Sequence, residues 1–159
     1  MKKNNEEKGQ MPLKPKESFD NFKGIDENVA IAIGKLWGMV WGNKDSAIEQ
    51  KTKLLLSLAN AVGAGRFRQA TRELIKAYSL GVTVKEFDEL FTLFIWNQGV
   101  GNFASEIGPS TLFGAYQLIK TLEEKGEARE GILKKVVADF GEENTDISVK
   151  KQSKTGEKR

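Results

Sequence analysis

The sequence predicts an all-α domain, and three observations carry the prediction. Apolar residues recur at three- and four-residue spacings through most of residues 18–141. Glycines at 42, 63, 65, 81, 99, 101 and 141 cut that stretch into pieces of helix length. No segment alternates apolar and polar residues for long enough to make a strand. The run from Thr52 to Gly101 is the centre: three helices joined by glycine turns, with the rest packed around them.

Residues 1–17 are polar and lysine-rich and contain Pro12 and Pro15, so they read as a flexible arm. Phe19 and Phe22 then supply two apolar anchors. A first helix is expected over about Glu27–Trp41, with Val29, Ile33, Leu36, Trp37 and Val40 as its apolar stripe. Met39 and Trp41 fall off that stripe, and a helix apolar on more than one side predicts a subunit interface. Gly34 and Gly38, four apart, leave room for a neighbouring helix to approach closely.

Ser46-x-x-Glu49 has the form of a capping box and sets the expected start of the second helix. That helix carries Ile48, Leu55, Ala59 and Val62 on one face, with Leu54, Leu58 and Ala61 beside it, and ends at Gly63–Gly65. The third, about Arg66–Leu80, turns Phe67, Ala70, Leu74, Ala77 and Tyr78 inward. Thr83-x-x-Glu86 caps the fourth, which buries Phe87, Leu90, Phe91 and Phe94 and stops at Asn97–Gly101. Gly108-Pro109 predicts a kink or a second helix within 102–125, because proline lacks the N–H that a continuous helix needs. A last amphipathic helix is expected over Glu127–Phe140. Residues 142–159 are charged and poor in apolar side chains and read as a disordered tail. The expectation is thus a domain of about six helices over 18–141, with an arm at each end.

Composition narrows the chemistry. The chain of 159 residues has no cysteine and no histidine. That excludes disulfides, thiolate chemistry and imidazole acting as base or metal ligand. No metal site and no cofactor are predicted. The 25 basic and 22 acidic side chains leave a net charge of +3, a mixed solvated surface without the gathered positive charge that nucleic-acid binding requires. No window approaches the roughly 18–20 apolar residues of a membrane span, and the N-terminus lacks the apolar core of a secretory signal. A cytoplasmic protein is expected, bound to neither nucleic acid nor membrane.

The candidate site lies where the third helix begins. Arg66, Gln69 and Glu73 recur at spacings of three and four. Two arginines, Arg66 and Arg68, occupy a helix start, where exposed amides already carry partial positive charge. The functional reading makes them an anion site. The structural reading pairs them with Glu73 or with a neighbouring subunit.

The order Lys51-Thr-x-x-Leu-Leu-x-Leu-Ala59, glycine turn, polar helix, then Ala77-Tyr-Ser-Leu-Gly81-Val-Thr83-Val-Lys-Glu86-Phe-Asp-Glu89-Leu90 resembles the carboxymuconolactone decarboxylase family, which includes the AhpD-like alkylhydroperoxidases. The resemblance spans about residues 25–125. It implies an AhpD-like fold assembled into homotrimers or homohexamers. The family's redox branch carries a glutamate, two cysteines and a histidine. Counting back from Gly81 places these at Leu54, Arg66, Gln69 and Glu73, so thiol peroxidase chemistry is not expected. In the decarboxylase sense, Glu73 would serve as general acid or base. Arg66, Arg68 and Gln69 would hold a small carboxylate or lactone, Asn97 would add a hydrogen bond, and Trp96 would line the pocket. The competing reading is a non-catalytic oligomeric binding or scaffold protein, in which the tryptophans serve packing.

Overall fold

The structure, a computed structural model, describes residues 16–141. The tail at 142–159, and all but the last two residues of the expected arm at 1–17, lie outside the described residues. The described elements are all helical: α1 (Lys16–Ile25), α2 (Glu27–Trp41), α3 (Gln50–Gly63), α4 (Phe67–Ser79), α5 (Val84–Gln98), α6 (Val100–Asn102) running into a π-helical turn (Phe103–Ile107), α7 (Thr111–Glu124) and α8 (Arg129–Phe140). Eight α-helices stand where about six were expected. The additions are α1, which starts inside the expected arm, and the short α6 ahead of the proline. None is long and apolar enough to cross a membrane.

Local chemistry explains most boundaries. Asp26 caps α2, its carboxylate accepting from the N–H groups of Asn28 (2.7 Å) and Val29 (3.4 Å). Thr83 and Glu86 form the expected capping box: the Glu86 N–H reaches Thr83 Oγ1 at 3.2 Å and the Thr83 N–H reaches Glu86 Oε2 at 2.8 Å. Lys51 Nζ, 2.8 Å from Glu86 Oε1, ties α3 to this cap. The Ser46 box does not form. Ser46 Oγ donates instead to the Ile48 carbonyl at 2.9 Å, and α3 begins only at Gln50. At the Gly108-Pro109 break, the Gly108 N–H bonds the Phe103 carbonyl five residues back, which widens the turn, and Ser110 then caps α7.

The core is built on α4, which packs against α3, α7 and α8. Leu54 and Leu58 of α3, Leu74 and Tyr78 of α4, Phe87 of α5, Ile119 of α7 and Ile132 of α8 are fully enclosed. Phe91 packs near Phe94, Phe103, Phe113 and Tyr116 with ring centroids 4.4–6.4 Å apart, three of the four pairs edge-to-face. Such pairs contribute about 0.5–1.5 kcal/mol each beyond their buried area.

Arg129 locks the far end of α4. Its Nη1 donates to the carbonyls of Tyr78 (2.8 Å) and Val82 (3.0 Å), and its guanidinium stacks 4.3 Å from the Tyr78 ring centroid. Tyr78 donates to Glu123 Oε1 at 2.9 Å. Burial, followed by that carboxylate, pushes the Tyr78 phenol up to about 12.

α2 stands apart from this order. It lies against α1, and its last carbonyls are held by α3: Gln50 Nε2 reaches the Trp41 carbonyl at 2.6 Å and Lys53 Nζ the Val40 carbonyl at 2.8 Å. Within it only Ala30 is buried. The expected stripe is corrected here: Leu36 and Val40 are exposed, and Trp41, expected off the stripe, packs against the core instead. Val29, Ile33 and Trp37 of the expected stripe do turn inward, joined by Ala30 and Trp41.

Candidate functional site

Three of the predicted site residues, Arg66, Gln69 and Glu73, lie along one face of α4 that descends from surface to core. Arg66 forms the N-cap without a side-chain cap bond, and its own N–H closes the turn onto the Ala61 carbonyl at 2.8 Å. Arg66 is exposed, Gln69 half-buried and Glu73 only 8% exposed. Seven residues of helix separate Arg66 from Glu73 by about 10 Å along the axis. Glu73 turns to its own helix: Oε1 lies 3.2 Å from Lys76 Nζ, and Oε2 is buried without a hydrogen-bond partner. The structure therefore aligns Arg66, Gln69 and Glu73 on one face, with the carboxylate committed to Lys76. Arg68 projects from a different side of α4 and is exposed.

The α5 residues do not join them. The core-facing line of α5 is Phe87, Phe91, Phe94 and Gln98, at helical spacing. Gln98 Nε2 lies 3.7 Å from the point a Cβ on Gly63 would occupy, so the end of α5 meets the α3–α4 turn. Trp96 sits on the opposite side of α5 and is 84% exposed, and Asn97 beside it is exposed too. Leu54, at the position matched to the family's glutamate, is fully buried core.

One polar cluster escaped the sequence reading. Tyr116 and Lys120 of α7 both contact Asp88 of α5: the phenol donates to Asp88 Oδ1, and Lys120 Nζ lies 2.9 Å from the same oxygen and 3.3 Å from the phenol. The Tyr116 and Lys120 spacing was visible as an i, i+4 pair, whereas the aspartate comes from a distant helix. Tyr116 and then Lys120 hold the Asp88 carboxyl below its usual range. Burial and Asp88 push the Tyr116 phenol up, and Asp88 and Tyr116 raise the Lys120 ammonium. Each group is thus held in its ordinary neutral-pH form. That arrangement fastens α5 to α7 and is poorly poised for proton transfer.

An open groove of about 500 Å³ lies instead on α2, lined by Lys35, Gly38, Met39, Gly42 and Asn43. Among the described residues, no group of three or more acidic side chains gathers as a metal site would require. No protein-family model matches the chain, and neither a curated protein nor a solved structure matches it.

Proposed function

We propose that the chain is a non-catalytic, self-assembling helical scaffold, resembling the carboxymuconolactone decarboxylase family in its helix order and lacking the chemistry of the redox branch. One observation carries this reading: the helices leave large apolar side chains uncovered. Ile31, Leu36 and Met39 of α2, and Leu93 and Trp96 of α5, are exposed. Such faces on a small domain call for a protein partner. A second copy of the same chain is the simplest supply, in the homotrimers or homohexamers that the resemblance implies. Light scattering coupled to size exclusion tests it directly; a monomer at micromolar concentration would end the proposal.

A second reading is favoured by the unpartnered Oε2 of Glu73, a buried carboxylate oxygen of the sort an acid–base site uses. In that reading Glu73 acts on a small carboxylate or lactone held by Arg66, Arg68 and Gln69. Turnover of a carboxylate-bearing lactone by wild type and its loss in Glu73→Gln, with assembly intact, would establish it. Inert wild-type protein removes it.

A further inference from the structure

α2 is the feature that the α4-centred core leaves unexplained: Ile31, Leu36, Met39 and Val40 on it are exposed. Ile25, the last residue of α1, is 73% exposed. A shallow open groove on α2 is lined by Lys35, Gly38, Met39, Gly42 and Asn43. Among the described residues the space beside Gly38 is open, since a Cβ added there would meet nothing within 4 Å. The helix itself carries two charges, Glu27 and Lys35, both exposed.

We propose, building on the self-assembly reading, that two copies pair antiparallel through α2 about a two-fold axis at Ile31. Glu27 lies four residues before Ile31 and Lys35 four after it, so each acid faces the other copy's ammonium. The groove, lined from Lys35 to Asn43, lies four to twelve after it, toward the start of the other copy's α2. The charge match sets the register. This is the signature of an isologous contact, in which i meets j and j meets i. Parallel pairing would set Lys35 against Lys35 and Glu27 against Glu27. An antiparallel register centred nearer Lys35 would crowd the two ammoniums together. A two-fold contact also requires an even number of copies, which favours the hexamer over the trimer and leaves the α5 face to supply a three-fold contact.

The absence of native cysteine makes the test clean. Full-length Ile31→Cys should form a disulfide-linked dimer under mild oxidation, because only residues at the axis bring two Cα atoms within bridging distance. Thr121→Cys, exposed on α7, should not. Lys35→Glu and Glu27→Lys should each weaken association about tenfold or more in sedimentation equilibrium, and the two together should restore it. An unchanged assembly mass in Lys35→Glu, together with no cross-link at residue 31, overturns the pairing and leaves self-assembly standing. A monomeric wild type overturns both.

Discussion

α4 and α2 invert the usual expectation about which helices are buried. α4 carries four charged residues in thirteen and buries seven of its positions. α2 carries two in fifteen and buries one. The difference lies in segregation. In α4 three of the charges, Arg68, Arg72 and Lys76, gather to one side, leaving Ala70, Leu74, Ala77 and Tyr78 as an apolar inward face. In α2 apolar side chains point all round, and the described residues cover only one side of them. Segregated sequence gives a helix one face to bury, whereas the unsegregated apolar sequence of α2 leaves large side chains exposed among the described residues.

The contrast can be broken in order of effect. Leu74→Ala, at a fully enclosed position, should cost about 2–5 kcal/mol in urea unfolding. Arg129→Met, which takes the guanidinium away from the Tyr78 and Val82 carbonyls and from Glu123, should cost about 1.5–3 kcal/mol, with amide hydrogen exchange quickening at the end of α4. Thr83→Ala should lose about 1 kcal/mol from the α5 cap by the same assay. Acid provides a gentler probe. Lys51 first, and then Thr83, hold the Glu86 carboxyl at about 2 in the fold, against an ordinary 4.5. Its stabilisation is complete above the unfolded value and fades as pH falls from there toward 2. Because the Glu86 side chain is well exposed, the effect is modest, and Glu86→Gln should flatten that part of the pH–stability curve. Smallest of all, Ile31→Ser should leave unfolding of the dilute protomer within about 0.5 kcal/mol. The same change should break the α2 pairing and lower the assembly mass. A large loss of protomer stability there would erase the distinction between the two helices.

Much of the fold was legible because it was written locally. The Thr83 box, the Phe87–Phe91–Phe94 line and the Gly108-Pro109 break depend on residues a few positions apart. The Ser46 box misled for the same reason: its residues have the right spacing, yet the loop uses Ser46 to bond Ile48. The burial of α2 could not be read, since an all-round apolar helix gives periodicity no face to report. The site was half legible. Spacing aligned Arg66, Gln69 and Glu73 correctly, while Lys76 at i+3 from Glu73 was an equally local competitor that the reading passed over. Trp96, grouped with the site on sequence, stands on the far side of α5.

Arg129 has a consequence for biosynthesis. The carbonyls it secures belong to Tyr78 and Val82, yet the guanidinium that secures them is translated some fifty residues later. A nascent chain stopped before α8 holds α3, α4 and α5 with that corner still open. Cooperative closure therefore waits for α8 to emerge from the ribosome, and products truncated ahead of residue 129 should be cleared by proteases rather than accumulate.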